Sequence, residues 1–473
     1  MPMRQIHRAD PAFKHKLAGK YGDTLKYCYQ CGTCTAACPI SRFIGIYRPN
    51  KILELAKLGI RSLPQSSAFL FCSACTLCTK HCPQGVKVHE VMQALKELIR
   101  GDADVDAFLV KDFDESLAAL ADGMPFPVSY SWICLRPGEE DYMIKASFAR
   151  ALKRPCPAIN APPGCAGKRA AVIGSGPAGL SAAWVLAKAG VSVTVYESQS
   201  EPGGMMKTGI PSYRLPKDIV DAEIAKIIAH GVDIRTDTSV DRAFFDALIE
   251  NNDVVFVASG AFLSRELRTM GEQLEGVVPA LDFLREFNLN GTACVGRNVV
   301  VIGGGNVATD AAGAAVRCGA GSVRLFCLED REAMPAHGWE IEEAKEAGVE
   351  LNPSWGVKGI LGEGEKATGV EFVRCVSVFD KDRRFNPVFD EKTTLTAEAD
   401  MVITAIGQAP DLRFLNEGVG KVRGAVLADP YTYETNLPNV FAGGDAAAGT
   451  SLIEAILTGK TAAGSMLRYL GGH

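Results

Sequence analysis

The chain has 473 residues, enough for about three domains of roughly 150 residues each. With 47% apolar and 22% charged residues it reads as a globular protein, which excludes a disordered or fibrous chain. The net charge of −5 conceals an asymmetry: residues 1–100 carry 15 Lys and Arg against 5 Asp and Glu, and the remainder carries 35 against 50.

The opening MPMRQIHRAD has no apolar core, so no secretory leader is expected, and a cytoplasmic location is the expectation. No long apolar run free of glycine and charge occurs, so no membrane span is expected. Fifteen cysteines in such a chain point to metal before disulfide. Cys28, Cys31, Cys34 and Cys38 are spaced C-x-x-C-x-x-C-x-x-x-C and followed by Pro39. Cys72, Cys75, Cys78 and Cys82 repeat the spacing, followed by Pro83. Three cysteines at intervals of three wrap one 4Fe-4S cubane from a single loop, while the fourth, beside proline, reaches the other cluster. The expected ligand sets are therefore Cys28, Cys31, Cys34 and Cys82 for the first cluster, and Cys72, Cys75, Cys78 and Cys38 for the second. Zinc sites more often use separated C-x-x-C pairs. Gly32 lets the backbone approach a sulfide and offer it an N–H.

Between and after these groups the segments PNKILELAKLG and VHEVMQALKELIR have helical periodicity. Two cubanes with eight thiolates return about four negative charges to this basic block, so it reads as a docking face for an acidic redox partner or for the acidic remainder of the chain, not for nucleic acid. This region resembles the C subunit of heterodisulfide reductase through CYQCGTCTAACP, YRPNKILELAKLG and FCSACTLCTKHCPQGV. The resemblance implies a helical ferredoxin domain, over residues 1–105, that serves as a one-electron wire.

Residues 106–167 read as a linker, acidic at first and then proline-rich. Cys134, Cys156 and Cys165 are irregularly spaced there and read as ordinary thiols. From Lys168 the pattern becomes strand, Gly174-x-Gly176-x-x-Gly179, helix, strand and Glu197, 23 residues after Gly174. The glycines permit a tight turn and a close approach of pyrophosphate to the helix N-terminus, and Glu197 can accept from ribose hydroxyls. The pattern recurs at NVVVIGGGNVATDAAG, where Gly303, Gly305 and Ala308 supply the turn, with Asn306 as a further nucleotide-binding candidate. Two such units imply Rossmann-like α/β layers, the first unit split around the second. The expected boundaries are 168–290 with 405–473 for the first and 291–404 for the second. No paired C-x-x-C lies in this region, so disulfide reduction by the chain alone is not expected, and no glutamine-hydrolysing site is present.

The segments GSGPAGLSAA, EPGGMMKTGIPSYRLPK, FVASGA, GGGNVATDAA, REAMPA, AIGQAPD and VFAGGDAAAGTSLIEAILTGK resemble the NAD(P)H-oxidising flavoprotein family of the glutamate synthase small subunit, over about 300 residues. The resemblance implies FAD at the first site and a nicotinamide nucleotide at the second. It places Pro177, Ala178, Gly203, Gly204, Arg214, Gly260, Gly407, Gly444, Asp445 and Thr450 near the FAD. A helix from about Thr450 would aim its N-terminus at the flavin ring. Where that family carries an arginine pair for the 2′-phosphate of NADPH, this chain has Leu328 and Glu329, so NADH is expected, with Arg331 as the nearby cation. His337 is placed either against the nicotinamide or on the surface. No acid–base catalyst is expected, because hydride transfer belongs to the cofactors.

The resulting expectation is an electron-input subunit passing electrons from NADH to FAD, to two 4Fe-4S clusters and to a partner, within a hetero-oligomer. The partner could be a heterodisulfide-reductase B-like subunit, a ferredoxin or a catalytic reductase subunit. The alternatives are a subunit of an electron-bifurcating complex, an NADPH-dependent reductase of the glutamate synthase type, and an assembly subunit without turnover.

Overall fold

The computed structural model describes residues 9–21, 23–43, 47–60, 70–99, 113–114, 116–134, 142–154, 164–447, 449 and 451–471. The fold is an N-terminal helical ferredoxin unit followed by two α/β nucleotide-binding units. No helix among the described residues is long and apolar enough to cross a membrane.

In the helical unit, Pro49–Leu58 starts on a proline and ends at Gly59, whose φ is +71°. A Cβ on Gly59 would meet the Asp10 carbonyl oxygen at 2.7 Å, so the stop also fixes how the N-terminal helix Pro11–Tyr21 approaches. Ile52, Leu53 and Ala56 on one face and Val91, Met92, Ala94 and Leu95 of Val88–Ile99 are buried.

The stretch 106–167 is more than a linker. Its helices Pro127–Cys134 and Tyr142–Leu152 belong to the core. Phe113 stacks on Phe71 at 5.1 Å and meets Phe148 edge-on at 5.7 Å. Glu223, on the helix Lys217–Ala229 of the first nucleotide-binding unit, accepts from the backbone of Val128 at 2.7 Å and of Ser129 at 3.0 Å. Those donors are the open N–H groups of the helix Pro127–Cys134, so one carboxylate caps it across the seam. A single apolar core therefore runs from Phe13 to Met466 and joins the helical unit to the flavin unit.

The first sheet is parallel, in the order Val440–Ala442, Val254–Val257, Arg169–Ile173, Ser192–Tyr196, Asp233–Arg235. Its strands are short apolar runs such as VVFV, buried at every position, as expected for a sheet covered on both faces. The strand Val440–Ala442 returns from far downstream, so the unit is split around its neighbour as the sequence implies. The second sheet is also parallel, in the order Val277–Pro279, Met401–Thr404, Asn298–Ile302, Ser322–Cys327, Glu350–Pro353. Val277–Pro279 pairs with Met401–Thr404, so the second unit begins at residue 277 and not at 291; backbone pairing there leaves no sequence motif. Three antiparallel strands, Trp355–Glu363, Lys366–Phe379 and Phe385–Glu398, form a separate sheet that packs against it.

Candidate cofactor sites

The cysteine loops fold alike. In CYQCGTC, Gln30 and Gly32 have φ of 64° and 79°; in CSACTLC, Ala74 and Thr76 have φ of 55° and 63°. Three left-handed non-glycine residues are costly, about 1 kcal/mol or more each, and such strain collects where the backbone must wrap a ligand. Short helices follow each loop, Thr33–Ala36 and Leu77–Lys80, and carry the third cysteines inward. One cavity is lined by Cys28, Cys31, Cys34 and Cys82, and a second by Cys38, Cys72, Cys75 and Cys78. Each fourth cysteine thus crosses to the other loop, the exchange expected from the spacing.

Among the described residues no three His, Cys, Asp or Glu side chains are gathered tightly enough to share one metal ion. The all-cysteine donor sets on two C-x-x-C-x-x-C loops fit iron–sulfur clusters. Burial pushes the thiols of Cys34, Cys38 and Cys75 up to about 11, with neighbouring cysteines adding to it. Iron reverses that balance by supplying the positive charge. Donors already face the sulfurs: Gln30 Nε2 lies 3.3 Å from Cys28 Sγ, and the Val86 N–H 3.4 Å from Cys82 Sγ. Lys57 Nζ donates to the Cys28 carbonyl at 3.0 Å, and buried Lys96 to the carbonyls of Cys72 and Cys134, each at 2.8 Å. Cys134 and Cys165 are buried thiols outside both quartets, and Cys156 lies outside the described residues.

A third cavity, of about 850 Å³, opens above the first sheet. Gly174, Gly176, Pro177, Ala178, Glu197, Gly204, Gly260, Gly444 and Asp445 line it. Gly174 has φ +99°, and a Cβ there would meet the Ala258 carbonyl oxygen at 2.4 Å. Pro177 starts the helix Pro177–Lys188, whose open N–H groups face the cavity, as pyrophosphate binding requires. The size and this cradle fit a dinucleotide cofactor.

Gly179 lies one turn deeper, against the Gly174 carbonyl, and Gly203 donates its N–H to the Ser175 carbonyl at 3.1 Å, behind Gly204. Glu197 accepts from the Ser175 N–H at 2.9 Å and the Gln199 N–H at 2.8 Å, and so ties the glycine turn to the second strand while it faces the cavity. Burial, with Glu454 nearby, pushes the Asp445 carboxyl up to about 6. Gly407 packs beside Arg265 and does not line the cavity, and Thr450 lies outside the described residues.

Arg214 is not at this cavity either. Its guanidinium pairs with Asp310 and, at 2.8 Å, with Glu343, both in the second nucleotide-binding unit, and lies 4.9 Å from the Trp339 ring. It joins the two units. Sequence reading missed the cavity residues Thr238–Arg242, Arg413 and Phe414, which lie outside the matching segments; Asp411, which closes AIGQAPD, lines the cavity too.

At the second glycine turn, Gly303 has φ +140° and Gly305 leads into the helix Asn306–Arg317, where Ala308 is fully buried. Glu329 follows the strand Ser322–Cys327, and its carboxylate reaches within 3.1 Å of where a Gly304 Cβ would stand, so the acid lies over the turn. Arg331 pairs with Glu342 at 2.5 Å. His337 heads the helix Gly338–Glu346 and lines a cleft of about 770 Å³ against Ala74, Thr76 and His89 of the ferredoxin unit.

The helix Leu452–Gly471 connects the sites. Ser451, Leu452 and Ala455 line the flavin-sized cavity, while Ile453 lines the cavity of Cys38, Cys72, Cys75 and Cys78. Opposite sides of one helical turn thus border the two sites. No cysteine lines the larger cavity among the described residues.

Residues 168–463 match the pyridine nucleotide-disulphide oxidoreductase family, and residues 24–86 a 4Fe-4S dicluster domain. The chain is 41% identical over 312 residues to the NADP(+)-dependent formate dehydrogenase subunit beta of Moorella thermoacetica, covering 64% of this chain and 44% of that one. It is 32% identical over 425 residues to the NADPH-Fe(3+) oxidoreductase subunit beta of Geobacter sulfurreducens, covering 80% and 61%. The chain thus spans about half the length of these two relatives. The glutamate synthase (NADPH) small chain of Azospirillum brasilense is 36% identical over 317 residues, 63% of this chain and 66% of its own, in line with the resemblance read from the sequence. In fold, Mycobacterium tuberculosis FprA in complex with NADPH is similar at a TM-score of 0.56 and 18% identity, covering 64% of this chain and 85% of that one.

Proposed function

The chain belongs to the pyridine nucleotide-disulphide oxidoreductase family, and on that premise we propose that it oxidises NADH and delivers the electrons singly, through FAD and two 4Fe-4S clusters, to a separate acceptor protein. When bound, FAD exchanges a hydride pair for single electrons, the conversion that joins a nicotinamide to iron–sulfur centres. The observation that carries this reading is the first turn of Leu452–Gly471, which borders the flavin cavity through Leu452 and Ala455 and a cysteine quartet through Ile453.

Gly174, Gly176 and the N-terminus of Pro177–Lys188 would hold the FAD pyrophosphate, with Glu197 and Asp445 toward its sugar hydroxyls. The start of Leu452–Gly471 favours negative charge at the flavin. Gly303, Gly305 and Asn306 would hold the nicotinamide dinucleotide. Glu329 would accept from a free 2′-hydroxyl and repel a 2′-phosphate, and Arg331 is engaged with Glu342. Three of the relatives carry NADPH or NADP in their names, and the NADH reading rests on Glu329 alone. No cysteine lines the flavin cavity among the described residues, which supports a partner protein as acceptor over an internal dithiol. Such a partner makes the chain one subunit of a larger assembly.

Reduction of an artificial dye by NADH and NADPH tests the nucleotide. The reading expects kcat/KM for NADH to be at least about tenfold the higher, about 1.4 kcal/mol of discrimination. A preference for NADPH contradicts it.

A further inference from the structure

The two cysteine cavities differ in outlook. That of Cys38, Cys72, Cys75 and Cys78 is closed in by Met92, Tyr47 and Ile453, toward the flavin cavity. That of Cys28, Cys31, Cys34 and Cys82 is rimmed by Tyr29, Cys31, Pro83 and Gln84, all exposed. Tyr29 is 60% exposed and Tyr27, two residues before it, 55%. Solvent-facing tyrosines of this kind are enriched where proteins meet.

Residues 28–31 and 82–84 line that cavity, and the chain segments 24–31 and 80–87 that carry them are tied where the Lys87 N–H donates to Thr24 Oγ1 at 3.3 Å. Both carry exposed cations: Lys26, whose Nζ lies 5.2 Å from the Tyr27 ring centre, Lys80 and Lys87. Lys57 lies behind, its Nζ on the carbonyls of Lys26 and Cys28. Lys87 pairs with Glu90 at 3.2 Å. The face repeats in miniature the excess of 15 basic over 5 acidic residues in the first hundred.

We propose that the surface of Lys26, Tyr27, Tyr29, Lys80, Gln84 and Lys87 is the docking site of an acidic one-electron carrier protein. The inference rests on the function proposed above and names its exit. Charge complementarity selects the partner and orients it, and the tyrosines supply the dry contact over the cysteine cavity. The balance closes with two carriers: one NADH becomes NAD⁺ and a proton, and two carrier molecules each gain one electron.

The test is binding and reduction of an acidic 2Fe-2S ferredoxin, with the basic protein cytochrome c as the opposite-sign probe. Lys80→Glu/Lys87→Glu and, separately, Lys26→Glu are compared with the native chain; Lys57 is left alone because it holds a ligand loop. Both variants should bind the ferredoxin roughly tenfold more weakly at low salt, and the native protein's loss of affinity with added salt should flatten. Bleaching of the iron–sulfur absorbance by NADH should be unchanged. Equal ferredoxin affinity in native and variant proteins, or tighter binding of cytochrome c by the native one, overturns the docking site. Absence of NADH-driven bleaching in the native protein instead overturns the function proposed above, and the binding arm still decides the surface, because it needs no turnover.

Discussion

At Glu329 one carboxylate stands over the second glycine turn, and on the proposed function it meets the position where the two nicotinamide nucleotides differ by a single phosphate. Glu329→Gln removes the repulsion and keeps an acceptor, so the NADH-to-NADPH ratio of kcat/KM should fall by about tenfold, chiefly through a lower KM for NADPH. An unchanged ratio would place the discrimination elsewhere. Glu223 works differently. Burial pushes its carboxyl up to about 7 from 4.5, against hydrogen bonds from Ser129 and Val128 that lower it. With the folded value above the unfolded one, its stabilisation is complete below about pH 4.5 and is lost as pH rises toward 7, by roughly 3 kcal/mol. The thermal midpoint of the native protein should therefore drop over that range more than that of Glu223→Gln; parallel curves would contradict this.

Between elements, the two crossing cysteines carry the sharpest expectation. Cys82→Ser should disturb the cluster built on the loop of Cys28, Cys31 and Cys34, not the one on its own loop, and Cys38→Ser the reverse. Iron content should fall from about eight toward four per chain in each, with different spectroscopic signals surviving. The same surviving signal in both variants would refute the exchange. Arg214 tests the seam between the nucleotide-binding units. It is buried with Asp310 and Glu343, so Arg214→Met strands two carboxylates and should cost about 3–5 kcal/mol in unfolding measurements. A loss below about 1 kcal/mol would mean the pair is open to water.

For the molecule as a whole, what could be read from the sequence follows how local the chemistry is. A cubane of this type takes three ligands from one short loop and the fourth from beside a proline on the other, so the quartets and their exchange can be read from spacing. The glycine turns are equally local: Gly174 is dictated by a left-handed φ and the Ala258 carbonyl behind it. What escaped reading depends on distant partners. Phe113 and Phe148 stand in a polar, proline-rich stretch and become core residues because Phe71 receives Phe113, which in turn meets Phe148. Thr238–Arg242, Arg413 and Phe414 reach the flavin cavity by the path of the chain and carry no pattern. Arg214, in a segment that resembles flavin-binding relatives, meets Asp310 almost a hundred residues later and holds the units together instead. The placement of Ile453 between two cavities is likewise tertiary, and the account depends on it. The most direct test is anaerobic rapid mixing of the FAD- and iron-loaded protein with NADH, followed by absorbance and by electron paramagnetic resonance of frozen samples. The account predicts that signals of reduced 4Fe-4S clusters grow in after flavin bleaching and within one turnover. Flavin that bleaches while dithionite-reducible clusters stay oxidised would contradict it.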